Sequence, residues 1–132
     1  MATFNSFTEI SVWQKARELS KQIFELTSRG TFAKDFGLKD QINRATGSIM
    51  DNIAEGFDRE SKNEFVNFLS YSKGSAGEVL SQLYRAFDRS HISREECKRL
   101  EGNVQEIRKM LGGLINYLNS SNIRGMKFKN RI

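Results

Sequence analysis

From Val12 to Leu118, apolar residues return every three or four positions, and no strand-period segment competes with that pattern. Such spacing places about one side chain per turn on a single stripe of an α-helix. The chain then buries its apolar surface by laying helices side by side. There is no proline in 132 residues, so the strongest interior helix breaker is missing. Four such segments with short polar joins predict an all-α, up-down-up-down antiparallel four-helix bundle over residues 9–120. Residues 1–8 read as an extended lead and residues 121–132 as a basic tail.

Helix boundaries are written in capping residues. Ser6 with Glu9, and Ser11 with Gln14, both have capping-box spacing, so the first helix starts at one of them. Val12, Ala16, Leu19, Ile23 and Leu26 then form its seam, and Gly30 suits a left-handed stop. The first connection runs over residues 30–37, with Phe32 and Phe36 expected to fold back over the end of the bundle. Helix two is expected over residues 38–57. Ser61 with Glu64 opens helix three, and Ser93 with Glu96 opens helix four, which ends near Asn119. Gly74 and Gly77, each costing about 1 kcal/mol relative to Ala inside a helix, predict close contact with another backbone.

Helix two carries a second stripe beside its apolar one. Gln41, Arg44, Ser48, Asn52, Glu55 and Arg59 follow one another at helical spacing, next to the small residues Ala45 and Gly47. On helix three, Ser75, Glu78, Gln82 and Arg85 repeat the pattern, with Tyr71 and Arg89 at its ends. Antiparallel packing brings the two stripes together, so Arg44 is expected to meet Glu78, and Glu55 or Asn52 a hydroxyl of helix three. Two readings stay open: a buried polar network that fixes register or a subunit interface, or a groove for phosphates and base edges.

Charge is unevenly placed. No acidic residue follows Glu106, while Arg108, Lys109, Arg124, Lys127, Lys129 and Arg131 supply six positive charges of a formal total of +5. Lys127, Phe128, Lys129 and Arg131 alternate cations with an aromatic. With Arg124 they form a candidate nucleic-acid contact or a merely solubilising terminus. Chemistry-bearing residues are sparse. His91, the only histidine, falls in a turn and reads as a polar loop residue. Cys97, the only cysteine, sits at a core position; a single thiol makes no internal disulfide, which fits a reducing cytoplasm. No secretory leader, spanning segment, metal-ligand spacing, phosphate loop or nucleophile elbow is found. An enzyme, a cofactor, a membrane and a small-molecule substrate are therefore not expected.

With these residues laid out, the chain resembles the four-helix-bundle proteins encoded in intervening sequences of bacterial large-subunit ribosomal RNA genes. The matching pieces are Val12-Trp13-Gln14-Lys15-Ala16, Gly37-Leu38, Gln41, Arg44-Ala45, Ser48-Ile49, Asn52-Ile53-Ala54-Glu55-Gly56 and Arg59. Phe65, Phe68-Leu69, Gly74-Ser75 and Glu78 complete them, over about residues 7–118. Met50 and Ser72 stand where proline and alanine are expected in relatives. The resemblance implies a ring-like homo-oligomer, a pentamer, with a link to structured RNA or ribonucleoprotein. A more distant relative assists a reverse transcriptase. The alternative is a protein-interaction scaffold, or an accessory subunit of an RNA-handling enzyme, without direct nucleic-acid contact.

Overall fold

The computed structural model describes residues 4–120. Four helices carry the fold: α1 (Ser11–Thr27), α2 (Phe36–Asp58), α3 (Lys62–Asp88) and α4 (Arg94–Ser120). Two 3₁₀ turns, Phe7–Glu9 and Phe32–Lys34, precede α1 and α2. Each helix packs on the next, and α4 closes against α1, which gives the antiparallel bundle. No strand occurs among the described residues. The expected apolar seams meet along the axis: Ala16, Ile23, Ile42, Ile49, Ile53, Leu69, Val79, Leu83, Val104 and Leu111 are all fully buried. At 27 residues each, α3 and α4 run roughly 40 Å, the full length of the bundle.

Local chemistry explains the ends, and it corrects several expectations. Ser93 and Glu96 form a complete capping box: the Ser93 amide donates to Glu96 Oε1 (2.9 Å), and the Glu96 amide donates to Ser93 Oγ (3.1 Å). The lead is also capped, with Ser6 Oγ accepting from the Thr8 amide at 3.2 Å. Ser11 with Gln14 is not a box. Ile10 is the capping residue of α1, and Gln14 Nε2 instead donates back to the Thr8 carbonyl at 2.8 Å. Helix α2 begins two residues earlier than expected because Asp35 caps it, accepting from the Leu38 amide. That places Phe36 on the first turn of α2, facing out at 76 % exposure, while Phe32 alone folds into the core. Gly30 does take the left-handed conformation after α1, with φ of 55°.

The glycines also differ from expectation. A Cβ on Gly47, Gly74 or Gly77 would meet nothing within 4 Å, so none of these marks a close helix approach. The close approach lies at Gly56, where a Cβ would fall 2.6 Å from Phe68 Cβ and 3.1 Å from a Phe65 ring carbon. There α2 presses against α3 just before the turn that joins them. Helical spacing shows that a small residue lies on a stripe, but not how near the neighbouring backbone comes.

Candidate functional site

Polar side chains link α2 to α3 along the seam, and the order of the links fixes the antiparallel register. Asp35 at the start of α2 bonds Arg89 at the end of α3 (2.8 Å). Further along, Gln41 accepts from Arg85. Ser48 Oγ lies 2.9 Å from Ser75 Oγ, and Ser72 Oγ donates to the Ile49 carbonyl at 2.7 Å. Asn52 Nδ2 braces Ser48 through both its carbonyl (2.8 Å) and its hydroxyl (2.9 Å). Asn52 thus reaches the helix-three hydroxyl only through Ser48. Burial of these hydroxyls costs little because each has a partner.

The outer members of the stripe behave otherwise. Arg44 does not meet Glu78. It pairs with Asp40 one turn back at 3.5 Å and is 80 % exposed, so it contributes little to stability. Glu55 pairs with Arg59 (3.1 Å) rather than with a hydroxyl of α3. Arg59 also lies 3.8 Å from Glu64 and rests on the Phe68 ring, spanning the α2–α3 turn. The two stripes face one another, but Arg44 and Glu55 splay toward solvent and pair along α2, while Arg85 crosses to Gln41. Between them runs a groove of about 480 Å³, lined by Gln41, Arg44, Ser48, Glu78, Gln82 and Arg85 among others. Six of the ten seam residues expected from the sequence thus share one surface. Gln82 Oε1 is sealed from solvent in its wall and accepts no hydrogen bond. Glu78 makes no ion pair among the described residues. Arg124, Lys127, Phe128, Lys129 and Arg131 lie outside the described residues.

A second cluster, missed in the sequence, joins the connections at one end of the bundle. His91 is no free loop residue: Nδ1 lies 2.8 Å from Thr31 Oγ1, and Nε2 lies 2.9 Å from Asp35 Oδ2. Its ring stacks on Phe32, with centroids 4.9 Å apart. The hydrogen bonds from His91 and Arg89 hold the Asp35 carboxyl down at about 2. This latch ties the α1–α2 connection to the α3–α4 turn. A carboxyl with a folded-state pKa below its unfolded value stabilises fully above pH of about 4 and loses that contribution as pH falls toward about 2. The melting temperature should therefore fall more steeply through that window in the wild type than in Asp35→Asn. Equal acid slopes in the two proteins would contradict the latch.

Cys97 is buried, and burial pushes its thiol up, so the thiolate a nucleophile needs is suppressed. Among the described residues no group of three or more His, Cys, Asp and Glu is placed to hold a metal ion. No helix among them is long and apolar enough to cross a membrane.

The sequence matches, over residues 8–113, the family described as 23S rRNA-intervening sequence protein. The chain belongs to that family. It is also similar to a crystal structure from Bacteroides thetaiotaomicron, described as a protein of unknown function from the S23 ribosomal protein family. The two chains are 27 % identical and superpose with a TM-score of 0.73, covering 80 % of this chain and 95 % of the other. No curated protein matches. The family match covers all of α1, α2 and α3, and therefore the whole of the polar groove.

Proposed function

We propose that this family member is a non-catalytic, self-associating bundle that binds structured RNA or ribonucleoprotein in the cytoplasm, using its α2–α3 face. The observation that carries this reading is the groove itself. Its side chains, Gln41, Arg44, Ser48, Glu78, Gln82 and Arg85, offer both donors and acceptors, and Glu78 makes no ion pair among the described residues. Assembly multiplies weak contacts through avidity, and five copies is the number the family resemblance implies. Each added copy also brings four cations in residues 121–132. A scaffold that contacts only protein is the second reading. Tyr71, 58 % exposed on α3, favours it. Mass and RNA binding measured together on the intact chain test the proposal: assembly into several copies and retention of a structured RNA are the expected results.

A further inference from the structure

Two cations on the opposite side of α3 from the groove have no acidic residue three or four positions away on their own helices. Most surface arginines along the α2–α3 seam have partners: Arg44 pairs with Asp40, Arg59 with Glu55, Arg89 with Asp35, and Arg85 donates to Gln41. Among the described residues, Lys73 on α3 and Arg108 on α4 make no ion pair. Positions three and four residues away from each hold only Leu69, Ser70, Ala76 and Gly77, or Val104, Gln105, Leu111 and Gly112. Helical neighbours therefore supply no counter-charge to either.

Both lie along the same stretch of α4. Lys73 reaches across the α3–α4 seam, so that its Nζ sits 3.7 Å from where a Gly112 Cβ would be. Arg108 is one turn before Gly112 on the same face of α4, roughly 6 Å along the axis. Arg108 is half-buried, and its Nε is sealed from solvent without an acceptor. Among the described residues it makes one hydrogen bond, from Nη1 to the Gln105 amide oxygen, long at 3.3 Å. The nearest carboxylate on that face of α4, Glu101, lies two turns back and is engaged by Tyr84. The Arg108 Nη groups and the Lys73 ammonium, neither in an ion pair among the described residues, offer donors to an anion with several acceptor oxygens. A phosphate group has that form. From Ile107 onward α4 carries no acidic residue, and the cationic residues 121–132 follow it in the chain.

We infer that Lys73 and Arg108 form a phosphate site on the α3–α4 face that holds the backbone of the bound RNA. This rests on the RNA reading above and gives it a second surface, distinct from the α2–α3 groove. The test uses the full chain and a short RNA hairpin with single-stranded flanks, titrated across a salt series, with mass measured in parallel. A double variant, Lys73→Gln with Arg108→Gln, is compared with an equal-charge control, Lys98→Gln with Arg99→Gln. The site variant should bind about tenfold more weakly at physiological salt and lower the log–log salt slope by about 1.5, with mass unchanged. The control should shift affinity far less. Equal losses in both variants, or no loss in either, would remove the site while leaving the RNA reading intact. A wild type that fails to bind the hairpin at all would remove both. Loss of assembly in the site variant would make this face a subunit contact and overturn the inference.

Discussion

Phe32→Ala should lower stability by about 4 kcal/mol, the range expected for a fully buried aromatic, and drop the melting temperature by roughly 15 °C. Phe32 has 0 % exposure and is the largest side chain among those fully enclosed. It sits on a three-residue 3₁₀ turn rather than on a helix, so little regular backbone structure holds the connection once the ring is gone. Its ring is also the surface on which His91 stacks. Removing it opens a cavity beneath the latch and unseats the imidazole that bridges Thr31 and Asp35. The double variant Phe32→Ala with His91→Ala should therefore lose less than the two single losses added together. Full additivity, or a Phe32→Ala melting temperature within a few degrees of wild type, would contradict this picture of the bundle end.

Gly56→Val should cost about 3 kcal/mol, near the upper end for overpacking. The contact at 2.6 Å is with Phe68 Cβ, an atom fixed to the α3 backbone, so no side-chain rotation relieves it. Only separation of α2 from α3 makes room, and that separation would loosen the hydroxyl links further up the seam. Gly74→Ala is the internal comparison. Nothing lies within 4 Å of its Cβ position, so it should gain up to about 1 kcal/mol of helix propensity. A Gly56 variant as stable as the Gly74 variant would mean that the helices are not held this closely. A Gly74 variant that keeps its fold but loses assembly would place the open surface of α3 against another chain.

These two cases show which parts of the fold can be read from sequence. Spacing along one helix is a property of that helix, so the seams from Val12 to Leu118 and the Ser93–Glu96 box were legible. The distance between two backbones is not such a property, so helical composition points to Gly74 and Gly77 while the close approach lies at Gly56. Asp35 carries no capping-box signature because Leu38, not Glu or Gln, stands three residues on, so the start of α2 and the outward place of Phe36 are not written locally. The environment of His91 comes from a connection 60 residues earlier in the chain, not from its own turn.

The candidate site was legible to a similar depth. Alignment of two polar stripes follows from helical period and antiparallel order, and the groove is where that alignment puts it. Which ends pair does not follow. Short hydroxyls at Ser48 and Ser75 meet across the seam because they have no reach to go elsewhere. Arg44 has that reach, and a carboxylate one turn away satisfies it without crossing to Glu78. The proposed Lys73–Arg108 site lies on a different face from either stripe, and the reach of Lys73 across to Gly112 depends on the packing of α3 on α4.

The most direct measurement compares RNA binding and assembly of the full chain with those of a chain ending at Ser120, across a salt series. If the bundle is the reader, the shortened chain should keep its mass in copies and still prefer a structured RNA over an unstructured one at physiological salt. Its salt slope should be shallower, because four cations have gone. A shortened chain that assembles but shows only weak, salt-erased binding would contradict the claim that the helical faces recognise RNA.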